Sequence, residues 1–200
     1  VPSGEPCDLI YAVGKATITI NGGTLISTAD YAIYHPQAGK LTINNGVIYG
    51  EAGAVAMKRG ELEVTGGTLT SKGKGDTGTW GDGTGNLANA ALNFCKLYGN
   101  VKATIKGGTI TAQGNAVVVD AQPVEGKTAD IAISGGTYSS DVSAYCVDGF
   151  TATPNTDGTY GITEVGDAML VYADRYTGVK TGDKVEIDMT QKKLNKVFIN

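Results

Sequence analysis

The sequence predicts an all-β fold: a right-handed parallel β-helix (solenoid) of about six coils, with a C-terminal β-hairpin cap and a small β appendage. Three observations predict it. The chain repeats one phrase five times, as "ITINGGTLIST", "LTINNGVIYG", "LEVTGGTLTS", "ATIKGGTITA" and "ISGGTYSS". Aligning the pairs Gly22-Gly23, Asn45-Gly46, Gly66-Gly67, Gly107-Gly108 and Gly135-Gly136 gives each neighbouring column a fixed character. A second anchor recurs further on, as "YAIYHP", "GAVAMK", "AALNFC", "NAVVVD" and "SAYCVD", with "DLIYAV" as an earlier copy.

The strands follow from these columns. Four and two residues before the pair stand Ile18/Ile20, Leu41/Ile43, Leu62/Val64, Ala103/Ile105 and Ile131/Ile133, the alternation of a strand buried on one face. Just after it, Leu25, Ile48, Leu69, Ile110 and Tyr138 form a third apolar column. In the second anchor the inward positions read Ile33, Val55, Leu92, Val117 and Tyr145, then His35, Met57, Phe94, Val119 and Val147; Ile10 and Ala12 begin the series. Gly and Asn mark the corners, where the backbone turns sharply. Three strands of this length cannot bury their apolar positions alone, but stacked copies line one interior and pair strands in parallel. The right hand follows from the general rule for parallel crossovers. At roughly 4.8 Å per coil, six coils make a prism of about 29 Å. An antiparallel sandwich predicts alternation without fixed columns and fits less well.

Residues 1–149 are thus expected to form the solenoid, interrupted by an inserted loop over residues 71–89, "SKGKGDTGTWGDGTGNLAN". "DGFTATPNTDGTYGITEV" alternates on both sides of "NTDG" and predicts a capping hairpin over residues 150–165, placed to shield strand edges. Residues 166–200 lack the glycine pair and hold three strand-like runs, read as a small β cap or an oligomerisation element.

Composition excludes several classes. The chain has 200 residues, a net charge of −4 and a pI near 5.0, and its sixteen Lys and Arg are scattered, which argues against nucleic acid. Its apolar runs fall far short of the roughly 20 residues needed to cross a bilayer. "VPSGEPCDLI" shows no signal peptide and reads as a mature terminus or a cut boundary, silent about export. Cys7, Cys95 and Cys146 have no CxxC spacing and read as idle or buried thiols.

Long insertions on a rigid scaffold tend to carry function. Here the insertion holds the single tryptophan, Trp80, with Asp76, Asp82 and Asn86 around it. Such a ring stacks on a sugar, and the polar groups bond hydroxyls or hold calcium; covering an open core edge is the plainer role. The spacing matches neither an EF-hand nor a GGxGxD repeat, so calcium is a weak expectation and no other cofactor or metal is expected. Outward Tyr11 and Tyr34, on successive coils, offer a second contact surface. The T-x-T files Thr68/Thr70 and Thr109/Thr111, with Thr137/Ser139, evoke ice-binding faces, but Val47 and Tyr49 interrupt them and threonine is common on strands.

The coil pattern resembles the right-handed β-helix repeats of the pectin-lyase-like superfamily. Residues 133–162, "ISGGTYSSDVSAYCVDGFTATPNTDGTYGI", are similar to a phrase of large uncharacterised secreted or surface proteins of gut bacteria, of Firmicutes type. The resemblance implies an extracellular or cell-surface location more than an activity. Enzymes of that architecture use an Arg base beside an acidic calcium cluster, or several aspartates on neighbouring coils. Here Arg59 lies in a short turn, Arg175 lies outside the coils and His35 falls in an inward column. Asp120 and Asp148 are the nearest carboxylate pair and read as turn formers. No catalytic set emerges. The expectation is a non-catalytic surface module that binds a glycan or a surface protein through Trp80, Asp76, Asp82, Asn86, Tyr11 and Tyr34. A polysaccharide lyase or hydrolase, and a fibre, phage-tail-like or appendage segment assembling through residues 166–200, are the alternatives.

Overall fold

A computed structural model describes residues 9–72, 90–119 and 125–165, and these form a parallel β-solenoid. Sheet A stacks β1 (Ile10–Tyr11), β4 (Tyr31–His35), β7 (Gly53–Met57), β10 (Leu92–Phe94) and β13 (Val117–Val119). Sheet B stacks β2 (Ile18–Ile20), β5 (Lys40–Ile43), β8 (Gly60–Val64), β11 (Val101–Ile105) and β14 (Ala129–Ile133). Sheet C stacks β3 (Thr24–Ser27), β6 (Val47–Gly50), β9 (Thr68–Ser71), β12 (Thr109–Thr111) and β15 (Thr137–Tyr138). The chain visits A, B and C in turn, so every pairing among these strands is parallel and joins one coil to the next.

The columns read from sequence are the pairing registers. Ile33, Val55, Leu92 and Val117 lie side by side in sheet A, as do Leu41 and Leu62 in sheet B and Leu25, Ile48, Leu69, Ile110 and Tyr138 in sheet C. They meet in one core in which Ile33, Leu41, Ile48, Val55, Leu69, Leu92 and Ile110 are fully buried. Burying each such side chain is worth about 1.5–3 kcal/mol. Tyr138 closes its column with a hydroxyl that donates to the carbonyl of Gly135 at 2.8 Å, so an inward phenol carries no orphan group.

The coil count is smaller than expected. Five parallel strands stack in each sheet, so about four turns, not six, separate first coil from last, a rise of roughly 19 Å. The miscounted copy is "SAYCVD". Its first three residues form a 3-10 turn, Ser143–Tyr145, and only Cys146 makes a bridge, to Ile133 of sheet B rather than to sheet A. Asp141 starts this turn by accepting the Ser143 N–H at 2.8 Å and hydroxyl at 2.6 Å. An Asx turn there competes successfully with a further strand. The chain then forms an antiparallel hairpin, β16 (Phe150–Pro154) and β17 (Tyr160–Glu164), and β17 joins β15 antiparallel at the edge of sheet C. Ala152, Tyr160 and Ile162 from this hairpin pack against the core.

The corner between sheets B and C explains the glycine pair. Val47, Thr68, Thr109 and Thr137 each donate an N–H to the carbonyl of the second glycine one coil earlier, at 2.8–2.9 Å. Those bonds draw successive corners together. A Cβ on Gly67 would lie 2.9 Å from the Gly46 carbonyl oxygen, and φ there is +91°. The first glycine has a different reason: at Gly66 a Cβ would lie 2.6 Å from the Asn44 carbonyl oxygen, whereas at Gly22, on the first coil, it would meet nothing within 4 Å. Gly22→Ala should therefore leave stability nearly unchanged, while Gly67→Ala should cost at least about 1–2 kcal/mol. Urea unfolding of both variants checks this, and equal losses would refute the account of the corner.

Candidate functional site

The corner between sheets A and B varies in length from coil to coil. Two residues join β7 to β8, four join β4 to β5, six join β10 to β11 and nine join β13 to β14. Stacking unequal turns leaves a recess. Tyr98 donates its N–H to the Lys58 carbonyl at 3.2 Å, Gly60 to the Asn100 carbonyl at 2.9 Å, and Val101 to the Thr128 carbonyl at 2.9 Å, so the turns are pinned together at their bases. Above those bonds opens a cleft of about 500 Å³, lined among others by Arg59, Glu61, Tyr98, Lys102 and Lys127.

Each lining side chain has a structural reason for its position. Arg59 rests on Gly99, where an added Cβ would lie 2.7 Å from Nε and 2.8 Å from Cγ and Cδ; glycine leaves room for the Arg stem to lie down. Lys127 donates to the Leu97 carbonyl at 2.5 Å, which ties the long turn to its neighbour. Tyr98 is 46% exposed and offers a ring face at the rim. Lys102 and Glu61 belong to an outward file on sheet B, Lys40, Glu61, Lys102 and Asp130, whose signs alternate from coil to coil. The next file carries Glu63, whose carboxylate is held by Lys40 at 2.5 Å and Lys106 at 2.9 Å. Those two ammonium groups pull its pKa down to about 2.

Beneath the cleft lies a buried polar chain. His35 occupies the inward column beside Met57, as expected, and is fully buried. Gln37 donates from Nε2 to the Ala16 carbonyl at 2.8 Å and accepts the Ala16 N–H at 2.6 Å. Its Nε2 also lies 3.2 Å from His35 Nε2, which must then be the acceptor. The tautomer assigned by this network carries the proton on Nδ1, which donates to the Arg59 carbonyl at 3.1 Å. Burial lowers the His35 pKa. The backbone of the Arg that lines the cleft is thus anchored from inside.

Trp80, Asp76, Asp82 and Asn86 lie outside the described residues, as do Asp120, Cys7, Arg175 and residues 166–200. The insertion begins where β9 ends and precedes β10, so it joins sheet C to sheet A. Tyr11 and Tyr34 are brought together, with ring centroids 5.1 Å apart and planes at 17°. Only Tyr11 is exposed, at 63%; Tyr34 is 7% exposed, packed with Tyr31, Ala52 and Ala56, with the Lys58 ammonium 5.9 Å over its ring. Tyr34 supports its neighbour and presents no face of its own. Asp148 is exposed in the turn before β16. Cys95 is buried and Cys146 half-buried. Thr68, Thr70, Thr109, Thr111 and Thr137 do share the outer face of sheet C, where Thr70 and Thr111 hydroxyls lie 3.1 Å apart. No group of three or more His, Cys, Asp or Glu fit to hold a metal occurs among the described residues, and none of their helices is long and apolar enough to cross a membrane.

Sequence reasoning missed the cleft. Its signal was present in "MKRGEL", "CKLYGNVK" and "PVEGKTAD", turns of unequal length that each bring a cation to the same corner. Compared with family models, with curated proteins and with solved structures, the chain has no significant match. Of the expected resemblance, only the parallel β-solenoid is shown.

The two titrating groups separate in pH. His35 has its folded-state pKa lowered, so its contribution is complete above about 6.5 and is lost as pH falls below that value toward the folded pKa. Glu63 has its folded pKa depressed to about 2, so its contribution is lost only as pH falls from about 4.5 toward 2. The thermal midpoint should decline between pH 7.5 and 5, and His35→Met should flatten that decline. An unchanged slope in the variant would mean that another group titrates.

Proposed function

We propose that the chain is a non-catalytic extracellular module of a gut-bacterial surface protein, a rigid solenoid that binds glycans. The cleft at the A–B corner carries the reading, because it joins an exposed aromatic ring to polar groups on a hydrogen-bonded scaffold. Sugar rings have apolar C–H faces and polar edges, and a half-exposed tyrosine beside hydrogen-bonding side chains matches both. A ladder of paired backbones costs little ordering entropy on binding. His35, the one imidazole, is committed to the core, where it contacts Gln37 and the Arg59 carbonyl instead of facing the cleft.

An assembly segment is the second reading. Strands β1, β2 and β3 each have one edge without a partner strand among the described residues, and Ile10, Ile18 and Leu25 of that coil are only partly buried. An edge of this kind pairs readily with further strands.

Glycan-array binding followed by titration separates the readings. Tyr98→Ala should weaken binding by about five- to tenfold, the loss of one stacked ring, with an unchanged thermal midpoint. Release of reducing ends from a uronan or arabinan would overturn the non-catalytic reading. Self-association that disappears on removing residues 166–200, with no glycan bound, would favour assembly.

A further inference from the structure

We infer that the A–B corner cleft binds the anionic group of an acidic polysaccharide, a carboxylate or a sulfate ester; this rests on the glycan-binding reading above. In a chain of net charge −4, the cleft gathers three cations, Arg59, Lys102 and Lys127, against one carboxylate, Glu61. Glu61 does not cancel them. Its register neighbours are Lys40 and Lys102, so it balances the outward file of sheet B, and Arg59 and Lys127 remain in excess.

Arg59 forms no side-chain hydrogen bond or ion pair among the described residues. Its stem is laid along Gly99 and its backbone carbonyl is held by His35, so the guanidinium extends into the cleft from an anchored backbone. A planar guanidinium takes a carboxylate or sulfate by two parallel N–H bonds, which a neutral hydroxyl cannot match. Lys127 has given one of its three N–H groups to the Leu97 carbonyl and keeps two. Tyr98 lines the same cleft and offers its ring to the sugar that carries the anion. A neutral glycan would need the ring but leave the cations unused; an acidic one uses both.

The test is titration of the chain with polygalacturonate, dextran sulfate and unmodified dextran at low ionic strength. At least one of the acidic polymers should bind and dextran should not, and added salt should weaken the complex because the site is open to solvent. Which acidic polymer binds tells carboxylate from sulfate. Arg59→Gln should weaken binding about tenfold, Arg59→Lys less, and Lys106→Gln, just past the opposite end of β11, not at all. Lys127→Gln is a second variant, should Arg59→Gln lower the thermal midpoint. Dextran bound as tightly as the acidic polymers, or acidic binding unmoved by both Arg59→Gln and Lys127→Gln, would overturn the inference while leaving glycan binding standing. If no glycan on an array binds, both fall.

Discussion

Every coil of this chain rests its backbone on the coil before it, and at the B–C corner the contact is too close for a side chain. The bond from Thr68 N–H to the Gly46 carbonyl, repeated from Thr109 to Gly67 and from Thr137 to Gly108, sets that distance. Once it is set, the strand on either side has no freedom to slip. Leu69 must fall on Ile48 and Ile110 on Leu69, and a shift of one residue would turn the whole column to solvent. The glycines are therefore the condition under which the hydrophobic columns can form, and the columns supply the free energy that holds the corners shut.

Fixing the inside leaves three outer faces free to differ. Sheet B carries one charge file, Lys40, Glu61, Lys102 and Asp130, whose signs alternate between adjacent strands, so each neighbour across the roughly 4.8 Å spacing attracts. Sheet C is uncharged along its Thr24, Val47, Thr68, Thr109 and Thr137 file, where β-branched side chains suit a pleated surface. Sheet A is buried on both faces in β4, β7 and β10, which accounts for Tyr34, Ala56 and Asn93 being inaccessible although they point away from the core. The corners, which bear no column constraint, absorb changes in length. That is why the recess lies at a corner and not on a face.

The parts legible in the sequence are those governed by stacking. Fixed columns gave the parallel registers, and they placed His35 in the interior although histidine is seldom chosen for it. Coil number was misread because "SAYCVD" keeps the apolar spacing of a strand while Asp141 and Ser143 close a local turn, and local hydrogen bonding leaves no mark on periodicity. Tyr34 was misread because strand alternation tells which face a residue is on but not whether that face is covered. The cleft was invisible for a third reason. Arg59, Tyr98 and Lys127 are far apart in sequence and belong to turns, whose lengths do not repeat, so no column announces them.

The polar chain below the cleft joins these two regimes. Gln37 clamps Ala16 on the first coil, His35 orients Gln37, and the Nδ1 proton of His35 holds the carbonyl of Arg59 on the third coil. A leucine at position 35 would match the neighbouring Met57 and Phe94 in burial but would leave that carbonyl without its inward donor and Gln37 without its orienting nitrogen. An unpaired buried polar group costs about 1–3 kcal/mol, enough to loosen a turn. The imidazole therefore fixes the backbone from which the cleft's one guanidinium extends. Protonating it sets an N–H against the amide of Gln37 and withdraws that anchor, so a ligand held through Arg59 should weaken over the same pH interval in which the fold itself softens.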